Sequence, residues 1–105
     1  MKDFDYHQLN DIIHSRIRLA IMSVLIAVDE AEFNFLKEKV KTTDGNLSVH
    51  LRKLEDAGYI KVKKEFVGRK PVSSYSLTKK GRKAFEAYVE SLEKLIKKKW
   101  YFFIN

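Results

Sequence analysis

A short segment bounded by a helix start and a helix stop constrains the fold more than any other feature of the sequence. Thr42 and Thr43 are typical N-cap residues, and Gly58 offers the left-handed conformation in which helices commonly end. Apolar residues recur between them at helical spacing: Leu47, Leu51 and Leu54. A second short helix, predicted over residues 35–40 with Asn34 as its N-cap, ends only a few residues earlier. The two helices predict a helix-turn-helix.

The residues before this motif predict one long helix and two smaller elements. Ser15 is a good N-cap for a helix that continues to Val28, with apolar residues at the spacing of a buried helical face. Residues 4–13 fit a short amphipathic helix, and residues 31–33 fit a minimal strand. We therefore expect the helix after Ser15 to be the central buried helix.

After the helix-turn-helix, apolar and polar residues alternate along the chain, which predicts a β-hairpin. The first strand, residues 59–66, has Ile60, Val62 and Phe66 largely on one side and lysines between them. A turn at residues 67–71, framed by glycine and proline, leads into a second alternating run over residues 72–77. Thr78 can then cap a last helix, which extends to about residue 99 and is too long for a small core.

Together these elements predict a mainly α protein of the α+β type: a winged helix-turn-helix with a two-stranded β-hairpin wing and a long C-terminal dimerisation helix. We expect a single domain over residues 1–105. Within it, residues 14–78 form the helix-turn-helix and wing, and residues 79–105 form the dimerisation helix and an aromatic tail. Such an architecture places one helix in the major groove of DNA while the hairpin reaches toward the flanking backbone.

The side of the second helix opposite its leucines is polar and cationic. Asn46 can pair bidentately with adenine, Val49 can contact a thymine methyl group, and Arg52 can reach guanine or phosphate. Gly45 lies in the first turn, where it indicates either a close approach of another backbone or a tolerated glycine near the cap. The DNA contacts predicted on this helix are Thr43, Gly45, Asn46, Ser48, Val49, Arg52 and Lys53.

The hairpin turn adds cations to this side of the predicted fold. Arg69 and Lys70 project beyond the strands, where they can meet phosphates or, for Arg69, the minor groove. Solvated turn cations are the alternative interpretation. Lys64 is the third residue predicted to contact DNA from the wing, although lysines on an exposed strand also protect an edge from aggregation.

The charge balance favours an acidic partner. The chain has 21 Lys and Arg against 14 Asp and Glu, which gives a net charge of +7 and a pI of about 9.6. Nucleic acid is the commonest partner of such domains. The sequence has no cysteine, no apolar stretch approaching the roughly 20 residues of a membrane span, and no signal-peptide pattern. We expect a cytoplasmic protein that acts on double-stranded DNA and not on a membrane.

Catalysis and metal binding have little support in the sequence. It has neither a glycine-framed serine elbow nor a phosphate-cradling glycine loop, so we expect no enzyme and no cofactor. His7, Asp11 and His14 would share one face of an N-terminal helix and could present two imidazoles and a carboxylate to a metal. We expect no metal site there, because His14 stands at a predicted helix boundary beside Ser15.

Several motifs together resemble small winged-helix transcriptional regulators of the MarR/ArsR-like group. They are NFL at residues 34–36, TDGNLSVHLRKLEDAGYI at residues 43–60, GRKP at residues 68–71 and YSLTKKGR at residues 75–82. The resemblance covers most of the chain, from residue 13 to about residue 92. It implies DNA recognition by the helix over residues 43–57, a wing at residues 68–71 and homodimerisation through the terminal helices. Cysteine-rich metal-sensing motifs of ArsR type are absent, and the motifs do not indicate whether a small-molecule effector binds.

The apolar stripe of the last helix, together with the N-terminal segment, would leave a sizeable apolar area exposed in a monomer, which is typical of an interface. The predicted dimer-interface residues are Phe4, Leu9, Phe85, Tyr88, Leu92, Leu95, Ile96, Trp100 and Phe103. The favoured function is a homodimeric transcriptional regulator that reads a pseudo-palindromic site. The alternatives are an architectural, chromatin-type protein that binds DNA with little sequence specificity, and a winged helix used for protein contacts.

Overall fold

The computed structural model describes the backbone of residues 6–104 and the side chains of residues 7–97. The order of elements is helix, strand, two helices, hairpin and helix, which confirms the predicted winged-helix fold. The elements are a 3-10 turn (Tyr6–Gln8), α1 (Arg16–Ala27), β1 (Ala31–Glu32), α2 (Phe33–Val40), α3 (Asp44–Asp56), β2 (Ile60–Val67), β3 (Lys70–Leu77) and α4 (Lys79–Ile104).

Helix α1 is the central helix of the core, as predicted. Ser15 is its N-cap, and its Oγ accepts a hydrogen bond from the backbone N–H of Arg18 at 3.4 Å. The inward side of α1 buries Ile21, Met22 and Leu25. The remaining core residues come from α2, α3, the sheet, α4 and the segment before α1: Ile13, Ala31, Leu36, Leu47, Leu51, Leu54, Tyr59, Ile60 and Tyr88.

The helix predicted over residues 4–13 is wrong wherever the structure describes that segment. A single 3-10 turn, Tyr6–Gln8, is followed by a turn that the side chain of Asn10 organises. Asn10 Oδ1 accepts hydrogen bonds from the N–H groups of residues 12–13, and its Nδ2 donates to the hydroxyl of Tyr59 at 2.7 Å. An asparagine side chain that satisfies nearby backbone groups competes with helix formation, which explains the difference.

Helix α2 begins earlier than predicted. Asn34 lies inside the helix, and the N-cap position is occupied by Glu32, which makes no side-chain capping bond. The reason is the strand before it, because β1 pairs antiparallel with β3 and holds the chain extended until the helix starts. The predicted minimal strand is therefore present, and it adds a third strand to the hairpin in the order β1-β3-β2.

The wing is a regular hairpin that closes through two residues. Strands β2 and β3 pair in register from Ile60 opposite Leu77 to Val67 opposite Lys70. Gly68 at the turn has a φ of 66°, and a glycine with positive φ at the first turn position suits a hairpin turn that follows the twist of the strands.

Helix α4 extends well beyond the rest of the fold. Thr78 caps it as predicted, since its Oγ1 accepts from the N–H of Gly81 at 3.0 Å. The helix continues past the predicted end near residue 99 and has 26 residues, roughly 39 Å of length. The molecule accordingly measures 62 × 24 × 22 Å. None of the described helices combines the length and hydropathy that crossing a membrane requires.

Candidate nucleic-acid interface

The orientation of α3 is set by its three leucines. Leu47, Leu51 and Leu54 are all buried against the core. Because these residues occupy one side of the helix, the opposite side is directed away from the core. We call that side the recognition face, and its members are Gly45, Asn46, Val49, Arg52 and Lys53. All five residues are exposed, so the described part of the chain leaves this face uncovered.

The turn between α2 and α3 fixes the second helix relative to the first. Lys41 ends α2 in the left-handed conformation, with φ of 59°, and its N–H donates to the carbonyl of Lys37 at 2.9 Å. The Lys37 ammonium also lies 2.7 Å from an Asp44 carboxylate oxygen, which joins the end of α2 to the first turn of α3. Both charged groups are accessible to solvent, Asp44 more than Lys37, so the ion pair adds little stability.

Thr43 and Gly45 have different local environments at the start of α3. Thr43 Oγ1 accepts a hydrogen bond from the N–H of Asn46 at 3.2 Å, so this side chain acts as the helix cap. A Cβ atom added at Gly45 would meet nothing within 4 Å. The fold itself therefore does not require glycine at position 45, and the open space lies on the recognition face. Ser48 is exposed on the flank of the helix.

The wing places its cations at and near its tip. Arg69 is the second residue of the turn, Lys70 begins β3, and Lys64 lies on β2; all three are exposed. The structure adds two apolar residues that sequence reasoning did not assign to this surface. Phe66 is 74% exposed and Val67 is 62% exposed. The alternation correctly placed Phe66 on the side of Ile60, but it could not reveal that the hairpin extends past the core.

A second feature that the sequence did not indicate is a contact between α1 and α3. Nη1 of Arg18 lies 2.8 Å from Nδ1 of His50, across 32 positions of the chain. Burial of the imidazole, followed by the nearby charges of Arg18 and Lys53, lowers the pKa of His50 below its ordinary value of 6.5. The imidazole is therefore neutral at pH 7. His50 lies beside Lys53, and therefore at the edge of the recognition face.

The residues predicted to form a dimer interface have unequal surroundings. Tyr88 is only 4% exposed, and its hydroxyl lies 2.8 Å from Nδ1 of His14, so the structure gives it a place in the core of its own chain. Ile96, by contrast, is 65% exposed. The half-buried residues of the set are Leu9, Phe85, Leu92 and Leu95. Phe4 lies outside the described residues, as do the side chains of Trp100 and Phe103.

The structure does not form the helical face on which a metal site at His7, Asp11 and His14 would depend. His7, Asp11 and His14 do not share a helical face, because the chain from Tyr6 to His14 is a 3-10 turn followed by a tight turn. Among the residues that the structure describes, no group of three or more histidine, aspartate or glutamate side chains could hold a metal ion.

An exposed second helix of a helix-turn-helix beside a cation-tipped hairpin defines a winged-helix DNA-binding protein. The family model described as a winged helix DNA-binding domain matches residues 17–96, and the chain belongs to this family. This match contains α1 through most of α4, including the whole recognition face and the wing. The fold is that of winged-helix transcriptional regulators.

Similar proteins support the assignment to the winged-helix family. An uncharacterized protein of Methanocaldococcus jannaschii is 40% identical over 86 residues, which cover 82% of this chain and 94% of that protein. A transcriptional regulator homologue from Pyrococcus horikoshii OT3 has a structure that superposes with a TM-score of 0.77 at 30% identity, covering 82% of this chain and 85% of that chain. A protein from Enterococcus faecalis V583 assigned to the MarR family of transcriptional regulators superposes with a TM-score of 0.70 at 24% identity, covering 86% and 84%. The resemblance to small winged-helix transcriptional regulators that the motifs indicate is thus confirmed.

Proposed function

We propose that the chain is a homodimeric transcriptional regulator that reads a pseudo-palindromic duplex site. The recognition face of α3 enters the major groove, and the wing contacts the flanking backbone through Arg69, Lys70 and Lys64. The observation that carries this proposal is the combination of an uncovered, cationic recognition face with an exposed cationic wing tip on the same domain. We expect Asn46, Val49 and Arg52 to reach base edges, and Thr43, Ser48 and Lys53 to contact phosphates.

The dimer rests on the length and surface of α4. Its roughly 39 Å greatly exceeds the extent of the small core against which its first turns pack. Ile96 remains largely exposed although it continues the apolar stripe of this helix. A second copy of the chain would cover that stripe and bring two recognition faces together. Their half-sites would then lie roughly 34 to 36 Å apart, one turn of the duplex.

Removal of the arginine from the recognition face tests the proposal. We expect Arg52→Ala to weaken binding to the specific duplex by about five- to 150-fold per half-site, because a good bidentate base contact contributes roughly 1–3 kcal/mol. Arg69→Ala is expected to weaken binding to specific and unrelated duplexes alike, because a phosphate contact carries no sequence information. Fluorescence anisotropy with both duplexes, over a series of salt concentrations, measures both effects.

Arg82→Ala is the matched control, since it removes the same charge from an exposed position at the start of α4. It should leave duplex affinity nearly unchanged. If about eight phosphates are neutralised per dimer, the slope of log affinity against log salt is near −7, and Arg69→Ala reduces its magnitude by about one per subunit. Unchanged duplex affinity in an Arg52→Ala, Arg69→Ala double variant would instead favour a winged helix used for protein contacts.

Substitution of Gly45 is expected to raise the stability of the free protein and to lower its affinity for the duplex. We expect Gly45→Ala to stabilise the free protein by up to about 1 kcal/mol, because alanine is the better helix former and a Cβ there meets nothing within 4 Å. The same methyl group is expected to weaken duplex binding, because Gly45 is one of the DNA contacts that we predict on the recognition face and a Cβ there would stand between the helix and the duplex. Chemical denaturation and anisotropy titrations measure the two effects. Equal or tighter DNA binding by this variant would show that Gly45 is only a tolerated glycine near the cap.

A further inference from the structure

Arg18 links three parts of the fold at the edge of the recognition face. It lies in α1 and is half-buried. Its Nε donates to the carbonyl of Ile12, and its Nη2 lies 3.5 Å from the carbonyl of Asp11. Its Nη1 lies 2.8 Å from Nδ1 of His50 on α3. One guanidinium therefore joins the turn before α1 to the recognition helix.

This contact determines which nitrogen of His50 carries the proton. A guanidinium remains protonated and can only donate, so Nδ1 of His50 must accept. A neutral imidazole that accepts at Nδ1 carries its proton on Nε2. The lowered pKa of His50, caused by burial and then by Arg18 and Lys53, agrees with a neutral ring. His50 thus has one nitrogen occupied by Arg18 and a second nitrogen that is a hydrogen-bond donor.

The position of His50 on α3 places this donor beside the recognition face. His50 follows Val49, lies one helical turn after Asn46 and precedes Lys53 by three residues, and it is half-exposed. The charged groups that act on the ring are Arg18 from α1 and Lys53 from α3 itself, and both are positive. The Asp11 segment that packs beside them contributes its carbonyl to Arg18. The flank of α3 therefore combines two cations with a neutral donor, an arrangement that suits an anion.

We propose that His50 and Lys53 bind one backbone phosphate of the duplex on the flank of α3, with Arg18 as the residue that positions the His50 ring. The His50 Nε2–H donates to a phosphate oxygen, and Lys53 supplies charge. The inference rests on the proposed function, because the phosphate belongs to DNA that the recognition face has entered. A contact of this kind fixes the register of the recognition helix without reading a base.

Two substitutions at position 50 separate the two nitrogens of the ring. In His50→Asn the amide oxygen lies near the place of Nδ1 and can still accept from Arg18, but no donor reaches as far as Nε2. In His50→Gln the amide nitrogen lies near the place of Nε2 and keeps the donor. We expect His50→Asn to lose at least about tenfold in duplex affinity, because hydrogen bonds to charged groups are the stronger ones. His50→Gln should retain most of the affinity.

Neutral methylphosphonate groups, introduced one at a time into the duplex, identify the phosphate. We expect one methylphosphonate per half-site to weaken binding of the unmodified protein about tenfold. Its effect on His50→Asn or Lys53→Gln should be clearly smaller, because each variant has already lost one of the two groups that hold this phosphate. Lys53 is exposed, so Lys53→Gln tests the site without disturbing the core. If His50 only joins α1 to α3 and does not contact DNA, each methylphosphonate will reduce the affinity of the variants by the same factor as the affinity of the unmodified protein.

The positioning role of Arg18 has its own spectroscopic test. Long-range proton–nitrogen spectra of the free protein should show His50 as the Nε2–H tautomer, and Arg18→Gln should shift it toward a mixture of tautomers. An Nδ1–H tautomer in the unmodified protein would contradict the inference. Equal affinities of His50→Asn and the unmodified protein, with Arg52→Ala still weakened, would overturn it while the proposed function stands. Absence of any duplex binding by the unmodified protein would overturn both.

Discussion

Gly81→Ala is expected to destabilise the protein severely, by about 3 kcal/mol or more. A Cβ atom at this position would lie 2.0 Å from the carbonyl oxygen of Tyr59, and both partners belong to backbone that cannot simply move aside. The same carbonyl accepts from the N–H of Thr78 at 3.0 Å, and the Thr78 hydroxyl donates to Gly58 at 2.6 Å. A shift of α4 would strain this hydrogen-bonded junction as well. Overpacking costs about 1–3 kcal/mol, before the lost hydrogen bonds are added.

Gly45→Ala is the matched control for this prediction, because it is the same substitution in a helix with open space around it. Urea denaturation followed by circular dichroism should show Gly81→Ala losing a large part of a total stability of about 5–15 kcal/mol, while Gly45→Ala keeps or gains stability. Equal midpoints for Gly81→Ala and the unmodified protein would mean that the first turn of α4 does not approach the Tyr59 backbone as closely as described.

Ile96→Asp is expected to abolish the proposed dimer and, with it, most of the affinity for a palindromic site. A carboxylate in the centre of an apolar interface would have to be buried without a partner. Two linked recognition helices bind the second half-site as an intramolecular event, so loss of the dimer should weaken duplex binding by roughly 10²–10⁴-fold. Sedimentation velocity should show the unmodified protein at twice the chain mass of 12.4 kDa and the variant near 12.4 kDa.

Ala87→Asp is the control for charge on this helix. Ala87 is exposed on α4 and lies nine residues before Ile96, which places the two on opposite sides of the helix. This variant should remain a dimer and keep its duplex affinity. If the unmodified protein sediments as a single chain, or if Ile96→Asp remains dimeric, then the apolar stripe of α4 is not the interface.

The elements that the sequence predicts well are those with local signals. Thr43 and Gly58 mark the ends of α3, the leucine stripe fixes its inward side, and Ser15 marks the start of α1. Each of these signals depends on neighbours within a few residues, and their physical causes are capping, helical periodicity and a left-handed stop. For that reason the helix-turn-helix, the wing and the direction of the recognition face could all be inferred before the structure.

The features that the sequence could not reveal depend on contacts between distant residues. The pairing of Arg18 with His50 joins positions 32 residues apart, and the hydroxyl of the buried Tyr88 lies 2.8 Å from Nδ1 of His14, 74 positions away. Asn10 combines its local bonds to the N–H groups of residues 12–13, which compete with the predicted helix, with a contact to the Tyr59 hydroxyl 49 positions away. In each case the two partners are far apart in the chain, and no spacing rule predicts such a partner.

Selection of bound sites from a random duplex library tests the central claim most directly. The account predicts that the unmodified protein enriches one pseudo-palindromic sequence whose half-sites are about one duplex turn apart. It also predicts that Arg52→Ala relaxes the selection at the base pairs that Arg52 reads, while the spacing of the half-sites is kept. Flat enrichment by the unmodified protein, with tight and salt-sensitive binding to every duplex, would contradict sequence reading by the recognition face and would favour an architectural DNA-binding protein.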